Sequence, residues 1–151
     1  MSRRIGCLLL VWLGWASVAA AQIPTNIAQI GGATPITARC DDPAKVTTVA
    51  ITTATSGNTQ LVALSSNQTV YVCGYDFIAG GTVNVLFNYG TGSACGTGTT
   101  NLTGAYPLVA QAGLVRPNTG SVQVKSAVSN AFCINLSANV QVSGMLTYVK
   151  E

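Results

Sequence analysis

The stretch TVNVLFNY, Thr82–Tyr89, decides the fold class. Val83, Val85, Phe87 and Tyr89 fall on one side of an extended chain, and Thr82, Asn84 and Asn88 fall on the other. A period of two with one apolar face is the pattern of a half-buried strand. It follows the tight reversal Ala79-Gly80-Gly81, so a strand should precede it, and Thr69–Ile78 is rich in Val and Tyr. Working outward, Val49 and Ile51 alternate with threonines, and Thr59–Leu64 follows a turn at Ser56-Gly57-Asn58. Val122 and Val124 mark a short strand, and Phe132, Ile134 and Leu136 alternate with Cys133 and Asn135. After a turn at Ser137-Ala138-Asn139, Val140, Val142, Leu146 and Tyr148 share a face, interrupted at Gly144 by a bulge or by close packing. No segment has a helical period with caps. Short strands with Gly, Asn and Ser turns predict an all-β fold, a single antiparallel β-sandwich of jelly-roll type.

Upstream of the strands the chain changes character. Arg3 and Arg4 precede an almost unbroken apolar run, Cys7–Ala20, and Ala19-Ala20-Ala21 supplies small residues for a signal peptidase. Residues 1–21 therefore read as a secretory signal cleaved before Gln22. The alternative, an uncleaved membrane anchor, is disfavoured because the apolar run is shorter than the roughly 20 residues a spanning helix needs, and no membrane span is expected after cleavage. Residues 22–45 form a polar N-terminal arm or edge strand, and 46–151 the β-sandwich domain, in a mature chain of about 130 residues. The protein is expected outside the cytosol, extracellular or periplasmic.

Five basic residues remain after cleavage, Arg39, Lys45, Arg116, Lys125 and Lys150, against Asp41, Asp42, Asp76 and Glu151. They are scattered and almost balanced, which excludes the basic footprint of a nucleic-acid or anionic-membrane binder. The surface must be built of Thr, Ser, Asn, Gln and Gly, with few charges to oppose edge pairing or self-assembly.

Four cysteines remain, Cys40, Cys73, Cys95 and Cys133, an even number that in an exported chain argues for two disulfides. Three pairings are open. With no histidine and no CxxC spacing, neither a zinc site nor an activated cysteine nucleophile is expected, and no cofactor is implied. Glycoside hydrolysis needs two facing carboxylates, which would have to come from Asp76 with Asp41 or Asp42. Asp41-Asp42-Pro43 reads more simply as a turn, and the same groups could at most form a weak calcium site. No catalytic residues are assigned. The Gly- and Thr-rich segment from Tyr89 to Gly104 lacks the pattern of a phosphate-binding loop and reads as a long β-loop pinned by Cys95. Tyr71, Tyr75 and Phe77, on one strand face with Cys73, and Tyr106 beside Pro107 are the candidate ligand face, for a carbohydrate or a receptor. The reading preferred over it is that they are core residues with hydroxyls at the rim, since the mature chain has no tryptophan. Asn67, Asn101 and Asn135 begin glycosylation sequons, which carry no meaning in a bacterial or phage product.

Three segments carry a family resemblance: TQLVALSSNQTVYVCGY (Thr59–Tyr75), TVNVLFNYGTGSACGTGTTNLTGAYPL (Thr82–Leu108) and NAFCINLSANVQVSGMLTYV (Asn130–Val149). They resemble small β-sandwich proteins of bacteriophage genomes and viral metagenomes, similar to capsid decoration or accessory virion proteins. The shared elements here are Leu102-Thr103-Gly104, Pro107-Leu108, Gly113 and Asn135–Tyr148. The resemblance implies a structural or adhesive protein that docks on a larger assembly or on itself, as a homotrimer. It brings no catalytic residues. The signal peptide and cysteines depart from a virion protein assembled in the cytoplasm. On the implied jelly-roll topology, Thr82–Tyr89 runs antiparallel beside Ala131–Leu136, which brings Cys95 to Cys133 and leaves Cys40 for Cys73.

Overall fold

The computed structural model describes residues 39–151; the expected signal, and positions 22–38 of the expected arm, lie outside the described residues. The described chain is all-β, with strands β1 Thr47–Thr53, β2 Gly57–Val62, β3 Val70–Ala79, β4 Val83–Thr91, β5 Thr97–Asn101, β6 Tyr106–Leu108, β7 Gly113–Arg116, β8 Val124–Lys125, β9 Ala131–Leu136 and β10 Val142–Lys150.

Two antiparallel sheets pack face to face. One has the order β1-β10-β3-β7 with β8 also on β3, and the other β2-β9-β4-β5 with β6 also on β4. The first four strands thus meet the remaining ones in reverse order: β1 with β10, β2 with β9, β3 with β7 and β8, β4 with β5 and β6. That is one long hairpin rolled over itself, the jelly-roll topology.

The alternation read from Thr82–Tyr89 places the core. Val83, Val85 and Phe87 are buried between the sheets with Phe132, Ile134 and Leu136 of β9 and with Ile51, Val142 and Leu146 from the opposite layer. Phe87 is the centre, edge-on to Tyr75 with ring centroids 4.8 Å apart and 5.4 Å from Phe132.

The cysteines form the disulfides Cys40–Cys73 and Cys95–Cys133, the pairing called for by the rolled topology. Each staples a covering segment to the outer face of a sheet. Cys95 ends a single 3-10 turn, Ser93–Cys95, in which Ala94 and Cys95 both have positive φ, 47° and 57°. That turn lies so close to β4 that a Cβ on Gly90 would come within 2.8 Å of the Cys95 carbonyl oxygen.

Two expectations need correction. The turn placed at Ser56-Gly57-Asn58 is shifted back: β2 already begins at Gly57, and the β1–β2 connection is tied to the segment between β9 and β10 by the Ser56 N–H donating to Asn139 Oδ1 at 2.8 Å. The long loop expected from Tyr89 to Gly104 instead includes β5, which pairs back on β4. All five residues of β5 are exposed, so no burial imposed an apolar alternation on its sequence.

Candidate docking face

Among the described residues, the outer face of the sheet β1-β10-β3-β7 is covered over one half and bare over the other. A β-bulge draws the boundary. Thr147 stands opposite Gly74 but Tyr148 stands opposite Val72, so Cys73 has no partner on β10. The extra residue inverts the phase of β3. Val70 and Val72 point into the core before the bulge, and Tyr75, Phe77 and Ala79 do so after it.

This phase change separates the predicted ligand face. Before the bulge, Tyr71 and Cys73 lie on the outer side, and Cys73 clusters there with Cys40 and Val149. Tyr71 carries the Arg39 guanidinium 4.1 Å above its ring. Arg39 also pairs with Glu151 at 2.9 Å, and Lys45 reaches the same carboxylate at 2.8 Å. The hydrogen bond from Lys45 is the main cause that holds the Glu151 carboxyl below its usual range. This clasp and the Cys40–Cys73 disulfide seal the covered half. After the bulge, Tyr75 and Phe77 are core residues, and Tyr106 sits at the rim with its hydroxyl 3.3 Å from that of Tyr75. Burial, then the Tyr106 hydrogen bond, pushes the Tyr75 phenol up to about 12. The four aromatic residues therefore form no common exposed platform.

The bare half is built from the other parity. The register places Ala50 of β1, Met145 of β10, Asp76 of β3 and Val115 of β7 in one row across the sheet. The next row is Thr52, Ser143, Ile78 and Gly113. Val115 is 68% exposed, Ile78 50% and Met145 48%. Asp76, the only charged group in these two rows, accepts the Met145 N–H at 2.9 Å and is thereby tied into the sheet. Against this face lies a cavity of about 320 Å³, lined by Met145, Val115, Asp76, Thr147, Gly74 and the turn Arg116–Asn118; Tyr75, one of the predicted ligand residues, also lines it. Gly74 permits that turn: a Cβ there would stand 2.6 Å from the Asn118 nitrogen and 2.8 Å from the Arg116 carbonyl oxygen.

Close packing, one of the two readings offered for Gly144, is what the structure shows there. A Cβ on Gly144 would meet the Asp76 carbonyl oxygen at 2.0 Å. The signal for this exposed apolar surface is present in the sequence. Ile78 and Met145 are large apolar residues on the parity that otherwise carries Asp76, Ser143 and Thr147.

Of the carboxylates weighed as an acid–base pair, Asp42 and Asp76 are engaged with backbone. Asp42 accepts the Ala44 N–H at 3.0 Å in a turn, as expected, and Asp76 is held by Met145. Among the described residues, no three His, Cys, Asp or Glu side chains group as a metal site.

Compared with known protein families, curated proteins and solved structures, the chain shows no match. Its function is read from the geometry of its own surface.

Proposed function

We propose that this protein is a non-catalytic structural or adhesive module, exported from the cytosol, that docks on a larger extracellular or virion-like assembly. The observation that carries the reading is the exposed group of Met145 and Val115 in one row and Ile78 in the next, on a sheet whose other half is sealed. A rigid surface binds without paying to order itself, and apolar side chains on it gain on leaving water. The two intramolecular disulfides are compatible with an oxidising compartment. Scattered charge on a Thr-, Ser- and Asn-rich surface suits a permanent contact better than a salt-sensitive one.

The test is sedimentation of the native protein from the medium or envelope of its producer, with mass identification of what travels with it. The protein is expected to pellet with large particles or filaments. The variants Ile78→Asp and Val115→Asp, at exposed positions, are expected to fold, form both disulfides and remain in the supernatant. Parent protein that stays small and soluble, or variants that pellet equally well, would refute the docking reading.

A further inference from the structure

The other unused surface is the edge of β1. Its sequence is Thr47-Thr48-Val49-Ala50-Ile51-Thr52-Thr53. All seven residues pair with β10 without a register shift. On the opposite side, among the described residues, no backbone hydrogen bond reaches the strand.

Natural sheets protect such edges with charge, proline, bulges or a covering segment. The other outer strands each carry an interrupting feature. β2 begins at Gly57 and has a register shift between Gln60 and Val62. β5 contains Gly98 and pairs irregularly with β4. β6 contains Pro107, β7 has Gly113 and Arg116, and β8 ends at Lys125. β1 has none of these features, and five of its seven residues are not buried.

The sequence of β1 is also a chemical palindrome about Ala50. An antiparallel second copy related by a two-fold axis through Ala50 sets Thr48 against Thr52 and Thr47 against Thr53. It sets Val49 against Ile51, and Ala50 against itself. Each pair joins residues of the same parity, so outer side chains meet outer ones and core-facing ones meet core-facing ones. Thr–Thr and β-branched pairs are favourable cross-strand neighbours, and no like charges oppose. Val49, half-buried at the rim of the core, would be buried further by the second copy's edge.

We infer that two copies of this chain join edge to edge through β1, making a two-fold dimer with one continuous sheet. A two-fold contact uses the same patch on both subunits, as a self-complementary strand requires. The pairing would also set two bare docking faces side by side, because both copies present the same side of the sheet. It does not depend on the docking reading: Ile78 and Val115 lie on β3 and β7, and their variants should leave the dimer intact.

The test is sedimentation equilibrium on the disulfide-bonded protein recovered from the periplasm, with charges placed at the two-fold axis. The parent is expected as a dimer. Ala50→Lys alone and Ala50→Glu alone are each expected as monomers at concentrations where the parent is fully dimeric. An equimolar mixture of the two should recover the dimer, because the opposed charges then attract. A parent that is monomeric or trimeric, or single variants that remain dimeric, would overturn the inference. Amide exchange on the parent gives a reading that needs no variant. The outward amides of β1 should lose protection on dilution. Protection that persists in the monomer would mean that residues 22–38 cover the edge, and the inference fails.

Discussion

Replacing Gly144 by alanine tests the central packing of this fold. The added Cβ would lie 2.0 Å from the Asp76 carbonyl oxygen, 2.6 Å from the Phe77 Cα and 2.8 Å from the Asp76 carbonyl carbon. All three are backbone atoms, so no side chain can swing aside. Relief requires β10 and β3 to separate locally by more than about 1 Å, a large fraction of the roughly 4.8 Å between strands. Such a shift breaks or stretches the ladder around Gly144, including the Met145 N–H bond to Asp76. Two or three lost hydrogen bonds at about 1 kcal/mol each, with about 1 kcal/mol or more of strain, give a cost of about 3–4 kcal/mol. That is a large share of the about 5–15 kcal/mol that holds a typical domain. Urea unfolding of the oxidised protein should show a lower midpoint for Gly144→Ala with an unchanged slope. Gly104 is the control: no atom lies within 4 Å of a Cβ built there, so Gly104→Ala should change stability by less than about 1 kcal/mol. If Gly144→Ala matched Gly104→Ala, the account of β10 against β3 would be wrong.

Two further predictions concern the core and the staples. Because burial raises the Tyr75 phenol to about 12, its stabilising contribution is fully present below the unfolded value of about 10 and is lost as pH rises through about 12. Stability measured across that window should fall less steeply in Tyr75→Phe than in the parent, and parallel curves would contradict the burial argument. Removing the Cys95–Cys133 bridge by alanine at both positions frees a loop closed across a sequence separation of 38. Chain entropy puts the loss at about 4 kcal/mol in urea unfolding, and a loss under about 1 kcal/mol would show that the unfolded chain is already restrained there.

The sequence was most legible where one face of a strand is buried. The alternation of Val83, Val85 and Phe87 is enforced by the core, and the same force orders Phe132, Ile134 and Leu136. Where no burial acts, as in β5, Gly and Thr were free to accumulate and the strand had no signature. Turn chemistry was legible to within a residue or two: Gly57 with φ of +92° does bear a turn-like conformation, but as the first residue of β2.

The candidate ligand face shows a different kind of limit. Tyr71, Cys73, Tyr75 and Phe77 share a parity in the sequence, and parity maps to a face only while the register runs unbroken. One unpaired residue at Cys73 carries Tyr75 and Phe77 from the side of Tyr71 into the core. Such a bulge depends on what the neighbouring strand does at Thr147 and Tyr148, some 70 residues away, and no local pattern around Cys73 encodes it. The same shift brings Asp76 and Ile78 to the surface. The bulge therefore decides both that Tyr75 and Phe77 become core and that Asp76 and Ile78, beside the exposed Met145 and Val115, face outward next to a cavity. Any docking partner must be matched to Ile78, Met145 and Val115, because Tyr71 lies under Arg39 and the Cys40–Cys73 bridge holds the sealed half closed.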